Sequence, residues 1–337
     1  MKAVVMEKYG TEDVIQIHNV SKPKIKDNEI LVEIYAAGVN PLDNKIRQGK
    51  MKPLLNFTFP LILGADLAGV IVETGSKISK FKKGDEVYAN LDTSKMGAFA
   101  QFVAVDEGDV AVKPKNLTFE EAASIPLVGL TSYQALHDVA KLSRGQKILV
   151  KAGSGGIGSF AVQLAKAMGA YVATTTGTSN VSWVKALGAD QVIDYKTQKF
   201  EKILNGYDVI FHTVDGVSTE EGVNILKPGG HLLSLVGPPD KKFAKQAGLN
   251  ILFQILLGLV GRKVNALVKK VGATYTFVFV KPSGAQLGDI TKLIEAGQIK
   301  PIIDKIFSMN DAKKALAYVE LGRTKGKVVI SMRQDLK

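Results

Sequence analysis

The sequence predicts an α/β fold in which a doubly wound parallel sheet is inserted into a β-rich, barrel-like domain. Three patterns carry this expectation. Before residue 118, short β-branched runs are separated by closely spaced glycines, the mark of a compact all-β unit. From Thr118 onward, continuous apolar runs alternate with helical periodicity, the mark of strand–helix–strand units. From Tyr275 the β character returns. The expected division is 1–123 and 275–337 for the split domain, with 124–274 inserted in it.

The elements follow in order. Residues 30–36, 68–73 and 85–89 are strands, the last entered through the turn signal Lys83-Gly84-Asp85, and 99–105 alternates. Thr118-Phe-Glu120-Glu121 is a helix cap followed by acids, a helix start. Residues 148–152 form a short buried strand, and the helix after it carries Ile157, Ala161, Leu164 and Met168 on one face. Residues 170–176, apolar and β-branched, form the next parallel strand. Residues 207–214 and 231–237 are further buried strands, with Lys227-Pro-Gly-Gly as the turn before the second. A β run over 275–280, a helix over 286–297 and a final strand over 325–330 complete the chain.

Composition narrows the function classes. The 337 residues suffice for two domains, at roughly 100–200 residues each. The absence of cysteine excludes disulfides, thiolate metal sites and a cysteine nucleophile. His18, His137, His212 and His231 are not spaced as metal-ligand pairs, so each reads as structural or surface. The N-terminal residues lack the apolar run of a secretory signal, and a cytoplasmic location is expected. The net charge of +12 raises nucleic acid or anionic membrane as partners. The lysines are scattered, however, and no nucleic-acid motif accompanies them. The expectation is a basic surface that attracts an anionic cofactor, with no nucleic-acid partner. Residues 250–260 are almost wholly apolar and precede Arg262, Lys263, Lys269 and Lys270. Roughly 20 apolar residues are needed to span a membrane, so a buried or subunit-facing helix is expected. Membrane contact by a basic interfacial helix over 250–270 is the alternative.

The densest motif is Gly153-Ser154-Gly155-Gly156-Ile157-Gly158, a G-x-G-x-x-G between a strand and a helix. The first glycine permits a tight turn and the second lets the backbone approach a pyrophosphate. The third lets helix and strand pack closely. Ser154, Gly155, Gly156 and Ile157 are the expected pyrophosphate contacts, at a helix N-terminus suited to anions. The next strand ends in Thr176-Gly-Thr178-Ser179-Asn180, and no carboxylate occurs between Ala170 and Asp190. The acid that would bind a ribose 2′-hydroxyl is missing, and Thr176, Ser179 and Asn180 can donate to a 2′-phosphate. This favours NADPH. The loop has no arginine, and Lys185 is its nearest lysine.

The whole chain resembles the zinc-free quinone oxidoreductases of the medium-chain dehydrogenase/reductase superfamily. The resemblance rests on Ala36-Ala-Gly-Val-Asn40-Pro-Leu-Asp43, Gly64-Ala65-Asp66-Leu-Ala-Gly69, Phe81-Lys-Lys-Gly-Asp85-Glu-Val87, Pro126-Leu-Val-Gly129-Leu-Thr131, the glycine motif, Gly188-Ala-Asp190 and Gly326-Lys327-Val-Val. It implies a GroES-like β-barrel-type catalytic domain split around a Rossmann domain, a homodimer, and a site in the cleft. Zinc alcohol dehydrogenases of the superfamily carry a zinc cysteine where Asn40 stands and a histidine where Ala65 stands. Only 89–96, without cysteine, occupies the place of their structural zinc lobe. Without a Lewis acid, simple alcohol oxidation is disfavoured.

The resemblance therefore implies an NADPH-dependent quinone or alkenal/enone oxidoreductase. Hydride goes to carbon, oxygen gains negative charge, and hydrogen-bond donors stabilise it. Asn40 is the first candidate near substrate and nicotinamide. Lys45 is the second, as donor to the enolate or source of the proton. Asp43 either orients Lys45 or caps its turn. Thr131 is expected at the cofactor or as a cap, and Tyr195 near the 2′-phosphate or as a packed aromatic. Val214, Val236 and Phe279 are expected beside the nicotinamide end. Lys327 is expected either near the cofactor or solvated on an edge strand. Two other readings stand: an enoyl-thioester reductase, against which Lys45 in place of a tyrosine counts, and an NADPH-binding protein acting on RNA or membrane.

Overall fold

The computed structural model describes residues 1–52, 55, 57–246 and 250–333. It divides into two compact units, 1–130 with 281–337, and 131–280. The first stretch contains β1 (Lys2–Met6), β2 (Ile15–Asn19), β3 (Glu29–Val39), α1 (Pro41–Arg47), β4 (Leu61–Ile62), β5 (Asp66–Thr74), β6 (Glu86–Asn90), β7 (Phe102–Asp106), β8 (Val110–Val112), α2 (Phe119–Ala123) and α3 (Pro126–Tyr133). Then come β9 (Lys147–Val150), α4 (Gly156–Ala167), β10 (Tyr171–Thr176), α5 (Val181–Ala186), β11 (Gln191–Asp194), β12 (Tyr207–His212), β13 (Leu226–Ser234), α6 (Lys241–Gln246), α7 (Ile251–Val260), α8 (Arg262–Lys270) and β14 (Thr274–Phe277). The chain closes with α9 (Gly284–Glu295), β15 (Ile303–Ser308), α10 (Ala312–Glu320) and β16 (Lys327–Ser331).

In the first unit, β15-β16-β3-β5-β6-β8 form one sheet, with β7 also on β3, and β2-β1-β4 form a smaller one. Val4, Ile30, Val32, Leu67, Ile71 and Ile330 share its core. Thr118 opens α2 as the sequence indicates: its hydroxyl accepts from the Glu121 N–H, and the Glu121 carboxylate accepts from the Thr118 N–H, a reciprocal cap. β16 lies between β15 and β3, so the expectation of a solvated edge strand for Lys327 is corrected. The chain's last described strand is an interior one.

The second unit is built on a six-stranded sheet ordered β11-β10-β9-β12-β13-β14. Every pairing in it is parallel. All six residues of β12 are buried, as a central strand covered on both faces requires. Strand order reverses between β9 and β12, the place where doubly wound sheets bind ligands. Two expectations change. β14 pairs with β13 from His231↔Thr274 to Ser234↔Phe277, and Tyr275 packs with Leu226, Leu232, Val264 and Val268. The run beginning at 275 therefore extends this sheet, and the return to the first unit comes at 281. Lys227-Pro-Gly-Gly lies inside β13, beside a register shift between Tyr207 and Val209, and is not a turn before it. At α7 the buried half of the expectation is corrected, since the helix has no buried residue.

Candidate active site

The glycine turn joins β9 to α4, but its three glycines divide the work differently from the expectation. The left-handed turn residue is Ala152, at φ 57°. Gly153 is required by its neighbour strand: a Cβ there would lie 2.2 Å from the Thr174 hydroxyl, which donates to the Val150 carbonyl at 2.7 Å. Gly158 is required by close packing, since its Cβ would fall 2.0 Å from the Ala152 carbonyl oxygen. Gly155 caps α4 without a side-chain hydrogen bond, and its Cβ would meet nothing nearer than 3.6 Å. Ser154, Gly155, Gly156 and Ile157 are partly exposed while Gly153 and Gly158 are buried. The N-terminus of α4 is thus partly open to solvent, which fits a pyrophosphate.

The other expected cofactor residues collect at the same edge of the sheet. Thr176 ends β10, fully buried, and its hydroxyl oxygen has no hydrogen-bond partner. Val214 follows β12, Val236 follows β13 and Phe279 follows β14. The Ser234 hydroxyl, accepting from the N–H groups of Val236 and Gly237, shapes the second of these turns. Phe279 is held against Phe243 of α6, with ring centroids 5.6 Å apart. Thr131 is buried inside α3, so it is no helix cap. His212, at the end of β12, is held neutral: burial, with Lys151 nearby, pushes its imidazole down to about 4.

Beside the loop after β10 stand two charged groups from β11 and the turn after it, Asp194 and Lys196. Ser179 is exposed, and Asn180 is oriented by the Trp183 indole N–H, which donates to its Oδ1 at 3.0 Å. Tyr195 is 61% exposed, so it is no packed aromatic. A Cβ on Gly177 would lie 3.3 Å from the Tyr195 hydroxyl and 3.7 Å from Cε of Lys196. A lysine therefore does reach this loop, delivered by β11 across the sheet and not by the loop itself. β11 also brings a carboxylate, because Asp194 pairs with Thr176. Asp194 is occupied locally. A hydrogen bond from Thr178 holds its carboxyl below the usual range, and it accepts the Lys196 N–H at 3.0 Å.

The catalytic candidates lie in the first unit, around a buried carboxylate. Asp66, fully buried, accepts four hydrogen bonds: from Asn40 Nδ2 at 3.0 Å, Lys327 Nζ at 3.1 Å, Asn90 Nδ2 at 2.9 Å and the Leu127 N–H at 2.7 Å. The last lies in the first turn of α3, where a negative charge is favoured. Lys327 Nζ also donates to Asn40 Oδ1. The Asn40 amide is thus fixed at both ends, between a carboxylate and an ammonium. Asp43 accepts the Asn40 backbone N–H at 2.7 Å, which assigns it the capping role. Burial pushes its carboxyl up to about 7. Lys45 is half-buried on α1. That helix is tied to α10 by Asn44 Nδ2, which donates to the Leu316 carbonyl at 2.8 Å, and by Arg47, which pairs with Glu320 at 2.6 Å.

Residues 26–115 match the family model described as alcohol dehydrogenase GroES-like domain, and 187–330 the one described as zinc-binding dehydrogenase. NAD(P)H oxidoreductase RTN4IP1, mitochondrial, of Danio rerio is 35% identical over 100% of this chain and 92% of its own. The 2-methylene-furan-3-one reductase of Solanum lycopersicum is 37% identical over 98% of this chain and 79% of its own. The chain belongs to the quinone oxidoreductase family of the medium-chain dehydrogenase/reductase superfamily. In structure, the quinone oxidoreductase from Coxiella burnetii matches with a TM-score of 0.84 at 28% identity over 99% of both chains. The zinc of the second family description has no matching donor set. Among the described residues no group of three or more His, Cys, Asp or Glu could hold a metal. Asp66 is already saturated, and a lysine ammonium stands beside it.

Proposed function

We propose that this family member uses NADPH to reduce quinones or α,β-unsaturated carbonyls without a metal ion. The carrying observation is that the glycine turn, Thr176, Val214, Val236 and Phe279 gather at the carboxyl edge of one parallel sheet, where such sheets bind dinucleotides. The relative named as a reductase of 2-methylene-furan-3-one supports an acceptor whose C=C is conjugated to a carbonyl. Bound NADPH supplies the hydride, which goes to carbon.

The chain's residues do the rest. The N-terminus of α4 holds the pyrophosphate. The unpartnered Thr176 hydroxyl, Ser179, Asn180, Tyr195 and the Lys196 ammonium hold the 2′-phosphate, while the ionised Asp194 carboxylate is engaged by the Thr178 side chain and the Lys196 N–H. An amide carries two N–H donors, and the bond from Asn40 to Asp66 uses one. The second N–H of Asn40 stabilises the oxygen as charge develops there. Lys327 and Asp66 position that amide. Lys45 delivers the proton that follows the hydride.

The test is oxidation of NADPH, and separately of NADH, against a panel of quinones and enones. Turnover of one class is expected, with Lys45→Ala and Asn40→Ala lowering kcat roughly 100-fold. Lys196→Ala is expected to raise KM for NADPH more than for NADH, with kcat kept. An enzyme that binds NADPH yet turns over no member of the panel refutes the reading.

A further inference from the structure

Helix α7 is a formed helix with no fully buried residue; only Gln254, Leu257 and Gly258 are partly covered. Asn250 caps it, accepting the Phe253 N–H at 3.1 Å. Yet Ile251, Leu252, Ile255, Leu256, Leu259 and Val260 are all exposed, Leu252 by 74%. The neighbouring α8 behaves oppositely. It buries Val264 and Val268 in the core of the second unit and exposes Arg262, Lys263, Lys269 and Lys270. Of these, Lys263 meets Glu220 at 3.4 Å. Across 241–273 the sequence has seven Lys or Arg and no Asp or Glu, which is +7 of the net +12.

Exposed aliphatic side chains in contiguous array mark an interaction surface, and the charge around them decides among partners. A second copy would meet this surface through a two-fold axis, with the same patch on both sides, so cations would face cations. Single-stranded nucleic acid matches the charge but is held by aromatic stacking, and it leaves a row of leucines and isoleucines in water. An anionic bilayer surface satisfies both features at once. The ten residues of α7 are about 15 Å long against a hydrocarbon core of about 30 Å. No single helix among the described residues is long and apolar enough to cross. The bend between α7 and α8 is 51°, so the two helices can serve different depths: acyl boundary and headgroup layer.

We propose that α7 and α8 dock the protein on an anionic membrane surface, with α7 lying in the interface and the α8 cations on lipid phosphates. The proposal is independent of the reaction assigned above. It takes up the membrane alternative for 250–270 in place of a buried or subunit-facing helix, of which the structure rules out burial within the chain.

The full chain is floated with vesicles of phosphatidylcholine alone and of phosphatidylcholine with phosphatidylglycerol. Flotation is expected only with the second, weakening as salt rises. Leu252→Glu with Leu256→Glu is expected to lower partitioning on the order of a hundredfold. Lys269→Glu and Lys270→Glu are each expected to lower it roughly fivefold. All variants should keep their circular dichroism and NADPH affinity. Absence of flotation with both vesicles overturns the proposal, and so does flotation that survives the leucine changes. A fall in oligomeric mass caused by the leucine changes, without vesicle binding, assigns the face to a second copy. Retention on RNA that outlasts them, again without vesicle binding, assigns the cations to nucleic acid. Either result overturns membrane docking.

Discussion

Asp43 shows how one buried carboxyl ties stability to pH. Desolvation raises its pKa from 3.8 to about 7, against the lowering effect of the Asn40 N–H. Between these values the folded chain holds a proton that the unfolded chain has lost. Stability contributed by this group therefore falls as pH rises from 3.8 to about 7 and is level above that. The size is on the order of a few kcal/mol. Carboxyls held low, such as Asp190 and Asp208, give the opposite slope at lower pH, so the difference between two proteins isolates the effect. Urea unfolding of wild type and Asp43→Asn across that range should show the wild type losing stability relative to the variant as pH rises. Parallel curves would mean that the carboxyl is ionised throughout. The capping role of Asp43 was legible in the sequence because its partner, the Asn40 N–H, is three residues away. The role of Asp66 was not, because its partner Lys327 is 261 residues away and only the β16–β3 pairing brings it near.

At the scale of elements, the strand–turn–helix of the nucleotide fold was legible because its constraints are local. The turn residues, the buried strand β9 and the apolar face of α4 all lie within one short stretch of chain. What each glycine does was not legible, because the contacts that need it come from Thr174 and from the Ala152 carbonyl. Lys196 was missed for the same kind of reason, since it reaches the loop after β10 through β11. The glycines can be separated by experiment. Gly158→Ala forces a Cβ to 2.0 Å from a backbone oxygen, so it should destabilise the fold by about 1–3 kcal/mol and weaken NADPH with it. Gly155→Ala meets only an ordinary 3.6 Å contact, at φ −79° and ψ 173°, so thermal stability should stay within about 0.5 kcal/mol. Its NADPH affinity should still fall, because the added methyl stands where the pyrophosphate must approach. Unchanged affinity in Gly155→Ala would remove the pyrophosphate from this turn.

For the whole molecule, the decisive fact is that the two units have separate cores. Val4, Ile30, Leu67 and Ile330 belong to one, and Leu149, Ile210, Leu232 and Tyr275 to the other. The first unit is also discontinuous, since β16 must pair with β3 after 131–280 have been traversed. A ligand that binds one native unit stabilises that unit, by about 2.7 kcal/mol at a hundredfold excess over Kd. The protein carries its own reporter for the second unit, because Trp183 on α5 is the only tryptophan. Circular dichroism, by contrast, follows both units. Saturating NADPH should raise the Trp183 unfolding midpoint by roughly 5–10 °C. The dichroism curve should then separate into a step that moves with Trp183 and a step that does not. If both signals move together at every NADPH concentration, the separate cores unfold as one cooperative body, and the energetic division at 130 and 281 does not follow the structural one.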